Sequence, residues 1–178
     1  MPNVHPVLVH FPIALIFMAV LCDLIGIIFK KNPFIFTANI LTAFAALGAI
    51  AAVTSGLLAE DSVWHPGAAH ELLEAHETVG LIFLGIVIVL AIFRFAVGER
   101  IYGSLSWIAL IVGIIGAGVV SYGAYLGGEM VYTHGTGVRE AQVATARADS
   151  LANELNSLRG EELEEIEGQG HEHHDHEH

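Results

Sequence analysis

The chain has 178 residues, 54% of them hydrophobic and 15% charged, with a formal net charge of −12. That composition excludes an ordinary soluble domain and fits a polytopic membrane protein, and the acidic balance argues against nucleic acid or anionic lipid as a partner. The lone cysteine, Cys22, excludes an internal disulfide, a Cys-ligated iron–sulfur cluster and a CxxCH haem attachment, so any cofactor has to rely on His, carboxylate or Met.

Four apolar stretches are each long enough to cross roughly 30 Å of hydrocarbon: about Val7 to Phe29, Pro33 to Ala59, Leu72 to Val97 and Leu105 to Val131. The first is long enough to span and is followed by no A-x-A-like cleavage site, so it reads as a membrane helix rather than a removable signal. Pro6 suits a first helical turn. Pro12 removes the donor to the carbonyl of Leu8 and should bend the helix there. Asp23 lies inside the first span, where a carboxylate needs a partner or a proton, and Arg94 in the third span is the candidate partner. The second span carries Gly48, Ala52 and Gly56, and the fourth carries Gly113, Ala117, Ser121, Gly123 and Gly127. Such stripes let helix backbones approach closely, with room for a flat macrocycle as the alternative use.

Every basic residue before the tail (Lys30, Lys31, Arg94, Arg100) falls at one end of the four spans, which the positive-inside rule assigns to the cytoplasm. Both termini and the loop from Glu60 to Glu71 are then expected on the periplasmic side of a bacterial inner membrane. The six histidines before the tail, His5, His10, His65, His70, His76 and His134, all map to that outer end. Their chain positions are far apart, and only the even number of crossings brings them to one face.

Helical geometry limits how they combine. His5 and His10 differ by about 140° in azimuth, and His70 and His76 by about 120°, so neither pair chelates one ion along a shared face. Imidazoles from different helices suit haem iron, copper or zinc. His10 and His76 are the expected axial pair for haem b, with His5 and His134 as a second pair or a rim. The alternative is a divalent zinc, copper or nickel site drawing on His10, His70, His76 and His134. HExxH and the Glu-x-x-His pairing of di-iron bundles are both absent. His65, in a loop before Pro66-Gly67, is expected to be inert.

Beyond the spans, Ala141, Ala144, Ala148, Leu151, Leu155 and Leu158 form a heptad seam that Gly160 is expected to end. A seam this short is marginal alone, so it packs on a partner or a second copy, or lies over its own bundle. The final EELEEIEGQGHEHHDHEH alternates His with carboxylate, and His171, His173, His174, His176 and His178 make it a metal-sequestering tract.

The opening HPVLVHFPIAL, the SG of the second span, HETVG opening the third and GGEMVYTHGTGV closing the fourth resemble an uncharacterised bacterial four-helix membrane-domain family. Its members carry an HP-x-x-VHFPIAL opening and a GG-x-x-VY-x-HG-x-GV ending. The resemblance covers about residues 3 to 138. Relatives joined to Rieske-like or c-type cytochrome modules imply electron transfer by analogy. The motif histidines carry over to His5, His10, His76 and His134. With no redox module or CxxCH read in these residues, the electron partner that the resemblance implies is expected to be a separate protein or a quinone.

The expected architecture is all-α: a four-helix transmembrane domain over 1–138, an extramembrane helix over 139–160 and an acidic His-rich tail over 161–178. The expected function is a bis-His haem b protein of electron transfer, a carrier or binding subunit rather than an enzyme with its own substrate. A divalent-metal-handling protein and a non-catalytic subunit of a larger complex, assembled through residues 139–160, are the alternatives.

Overall fold

The computed structural model describes residues 4–60, 68–98, 103–136 and 139–172. All regular structure among them is helical: α1 (His5–Leu8), α2 (His10–Ile28), α3 (Asn32–Glu60), α4 (Ala68–Val97), α5 (Ser104–His134) and α6 (Arg139–Glu172). Four segments are long and apolar enough to cross a membrane: His5–Ile28, Asn32–Ala59, His70–Val97 and Ser104–His134, with mean hydropathy between 2.0 and 2.7. Phe11, Phe36, Phe95, Trp107 and Ile111 face outward and exposed. That arrangement suits a bundle whose solvent is lipid, because an apolar surroundings removes the reason to bury large side chains.

Pro12 has no N–H for the carbonyl of Leu8, so one rung of the hydrogen-bond ladder is missing between α1 and α2, while Val9 keeps a helical backbone (φ −62°, ψ −28°). Pro12 itself is buried. Its ring lies against Gly48, where an added Cβ would come within 3.2 Å of the ring Cδ. The small residues thus serve close helix packing: Gly113 faces Val20, and Gly123 faces Val79.

The spans form a closed ring. Each helix of the hairpin α2–α3 packs on one helix of the hairpin α4–α5: α3 on α4, and α2 on α5. The core is Ile16, Ala45, Ala49, Phe83, Val87, Leu90 and Ala109, with small residues supplied mostly by α3 and α5. Across the ring's diagonal, Arg94 of α4 reaches Asp23 of α2. Its Nη1 donates to Asp23 Oδ1 at 3.2 Å and to Asn39 Oδ1 at 2.9 Å, and its Nη2 to Asp23 Oδ2. Both charged side chains are 1% exposed. The expected pairing of Asp23 with Arg94 is present, with Asn39 of α3 as an addition that hydropathy does not reveal.

Among the described residues, 139–172 belong to a unit separate from the four spans. Its helix α6 does not stop at Gly160 but continues to Glu172. One exposed glycine costs a helix only about 1 kcal/mol, and strong helix formers flank it on both sides. Of the heptad seam, Ala144, Ala148, Leu151, Leu155 and Leu158 are exposed.

Candidate functional site

The first and third spans each present one face inward. On the first, His5, Val9, Pro12, Ile16, Ala19 and Asp23 recur at four- and three-residue steps, and Pro12, Ile16, Ala19 and Asp23 are buried. This stripe brings His5 into the bundle and leaves His10 outside it. On the third, His76, Gly80, Phe83, Val87, Leu90 and Arg94 make the same kind of stripe.

His5 and His76 meet across the ring. Their centroids are 6.1 Å apart and their planes 86° from parallel. Each ring is held by a carbonyl of the neighbouring span. His5 Nδ1–H donates to the Ala52 carbonyl oxygen at 2.8 Å, and His76 Nδ1–H donates to that of Gly123 at 2.9 Å. A carbonyl only accepts, so Nδ1 is the donor nitrogen in both rings. The proton on His5 is shared with Ser55 Oγ at 3.3 Å, while the Ser55 hydroxyl donates to the same Ala52 carbonyl at 2.8 Å. Glycines seat the rings. A Cβ on Gly56 would stand 3.0 Å from His5 Cε1, and one on Gly127 3.2 Å from His76 Cε1.

Beside the two imidazoles lies a cavity of about 80 Å³, walled by Val9, Pro12, Ala49, Phe83, Val120 and Ala124. Apart from the two imidazoles, its walls are apolar or small residues from all four spans.

The remaining expected residues do not join this pair. His10, expected as the inward member, is exposed, and His5 lines the cavity instead. The azimuth between His5 and His10 separates them as expected, and burial of Pro12 against Gly48 decides which one points in. His70 is exposed and pairs with Glu74 on its own helix, Nε2 to Oε1 at 3.3 Å. His134 closes α5, where Gly135 takes the left-handed cap. His65, His173, His174, His176 and His178 lie outside the described residues, as does the side chain of His171. Among the described residues, no three of His, Cys, Asp and Glu converge on a point that could hold a metal ion. The expected zinc-type cluster of His10, His70, His76 and His134 is not assembled.

The family comparison agrees with the bundle. A family model described as a predicted membrane protein, DUF2231, matches residues 1–140. The chain belongs to the DUF2231 family. The match takes in all four spans and both histidines of the pair. Neither the curated proteins nor the solved structures contain a match to the chain.

Proposed function

We propose that this DUF2231 protein is a membrane electron carrier whose centre is held by the two imidazoles of His5 and His76, with haem b as the group. The observation that carries the reading is the ring pair itself. Two imidazoles can serve one centre only if their rings stand close together across the bundle. The centroids here are 6.1 Å apart. Both Nδ1–H groups are committed to helix carbonyls, the outer-shell arrangement that fixes the tautomer of a ligating histidine and raises its basicity. Among the described residues no third donor joins the pair, which suits a metal group that brings further ligands of its own, as haem would. When bound, such a group would supply reversible one-electron chemistry. The protein's part is to hold the two ligands, set their tautomers and exclude water with apolar walls. By the positive-inside rule the centre would lie towards the periplasm, since Lys30 and Lys31 sit at the opposite end. The partner would be a separate redox protein or a quinone.

A second reading follows from volume. The cavity of about 80 Å³ is smaller than a porphyrin, so haem requires the helices to part at this end, whereas a single copper ion between the same imidazoles does not. One experiment separates the two. Full-length protein expressed with ample haem and copper is purified in detergent for a visible spectrum and metal analysis. Reduced haem bands lost in His5→Ala and in His76→Ala, and kept in His10→Ala, support the first reading. Copper at one per chain that survives deletion of residues 169–178 supports the second. A colourless, metal-free protein overturns both.

A further inference from the structure

The two ring-to-carbonyl hydrogen bonds have the same sequence separation. His5 to Ala52 and His76 to Gly123 each bridge 47 residues. The buried ion pair joins residues 71 apart, and so does the ring pair. We infer that residues 5–60 and 76–131 are two copies of one helical hairpin, related by a shift of 71 residues and by a pseudo-two-fold axis along the membrane normal. The axis passes between His5 and His76 at one end and between Asp23 and Arg94 at the other.

Packing supports the shift throughout. Pro12 corresponds to Phe83, Ile16 to Val87, Ala19 to Leu90, Ala38 to Ala109, Ala46 to Ala117, and all are buried. The ring-seating glycines correspond as well: Gly56 touches His5 as Gly127 touches His76. The α3–α4 and α2–α5 interfaces exchange under the same rotation. Two spans per copy return the chain to its starting side, so both copies cross in the same direction, the condition for parallel repeats about an axis normal to the membrane. Identities are few: beyond His5/His76 and Gly56/Gly127 they are Ala38/Ala109, Ile40/Ile111 and Ala46/Ala117.

The axis gives its two ends different uses. At one end both copies supply the same residue, so two like imidazoles stand on either side of the axis. What that means for a ligand rests on the bis-imidazole reading. At the other end the copies supply opposite charges, since two like charges on an axis inside lipid would repel with no solvent to screen them. Asp23/Arg94 is then a lock that pairs one copy with the other.

The test is to exchange the lock across the axis in the full chain and read the yield and melting temperature of monodisperse protein in detergent. Asp23→Arg and Arg94→Asp alone should each lose most of the folded protein. The exchange D23R/R94D places the arginine beside the image of Asn39, which is Leu110. Symmetry therefore predicts a reversal of sign. Leu110→Asn lowers the melting temperature in the native background and raises it in the exchanged one. The same sign in both backgrounds overturns the proposal. Disulfide formation keeps the test open if the exchanged chain does not fold. In a Cys22→Ser background, Val20→Cys with Gly113→Cys should cross-link, and so should its image, Ala91→Cys with Thr42→Cys, to a similar extent. Cross-linking of the first pair without the second also overturns it. Both readouts are independent of any bound group, so a colourless protein leaves this inference standing.

Discussion

The two ends of the bundle solve the same problem differently. Each puts ionisable side chains from the first and third spans face to face across the ring. At the Asp23–Arg94 end, donor and acceptor complete each other, with Asn39 taking a further N–H of the guanidinium. At the His5–His76 end, the partners are alike, and each ring turns instead to a backbone carbonyl of its neighbouring span. A buried pair of opposite charges serves assembly. Two like donors anchored at one nitrogen, beside an apolar cavity, are suited to receive a third party.

Breaking the charged end should have the largest effect. Arg94→Met leaves the Asp23 carboxylate buried without its counter-charge and should cost about 3–5 kcal/mol, read as loss of folded protein on size exclusion and a lower melting temperature. Adding Asp23→Leu to Arg94→Met should restore most of that stability, because the desolvated charge is gone. If the single variant melts with the native protein, the pair is not what joins the two spans.

At the other end, His76→Ala should barely move the melting temperature of the group-free protein, since it removes one hydrogen bond of about 0.5–1.5 kcal/mol. The same substitution should abolish whatever visible band or bound metal the native protein carries. Loss of function without loss of fold is what distinguishes this end from the ion pair, and equal damage to both would erase the contrast.

Smaller changes sharpen the comparison within the histidine end. Gly56→Ala and Gly127→Ala put a Cβ 3.0 and 3.2 Å from a ring carbon. Each ring must shift by a few tenths of an ångström, which should displace the absorption maximum or lower occupancy several-fold while the bundle still folds. Gly85→Ala, whose added Cβ meets nothing within 4 Å, is the control and should leave the spectrum unchanged. Least of all, Ser55→Ala removes a second, longer hydrogen bond to His5 that His76 lacks, because Leu126 stands at the image position. The expected change is under about 1 kcal/mol in occupancy, and a large loss would show that the hydroxyl rather than the Ala52 carbonyl orients the ring.

Much of this was legible in the sequence. Hydropathy defines four spans because lipid offers no hydrogen bonds to an unpaired backbone. The isolated positions of Asp23 and Arg94 identify them as partners because a lone buried charge is intolerable in lipid. A signal for which histidine faces inward was present too. The four-and-three stripe that contains Asp23 passes through Pro12 and ends at His5, whereas His10 falls off it. Reading inwardness from depth along the helix favoured His10; reading it from azimuth, with Asp23 as the reference, selects His5.

The chain by itself determined the number of spans, the end of the bundle to which the histidines return and the charge pair inside it, since each follows from hydrophobic length and the cost of burying charge. Only the tertiary structure decided which histidines face each other, because that depends on Pro12 seating against Gly48 and on carbonyls of Ala52 and Gly123 in other helices. It also decided that the two hairpins are copies of one plan. Few identities survive between them, and what the copies share is which positions are buried, a property that belongs to the packed bundle rather than to either strip of sequence.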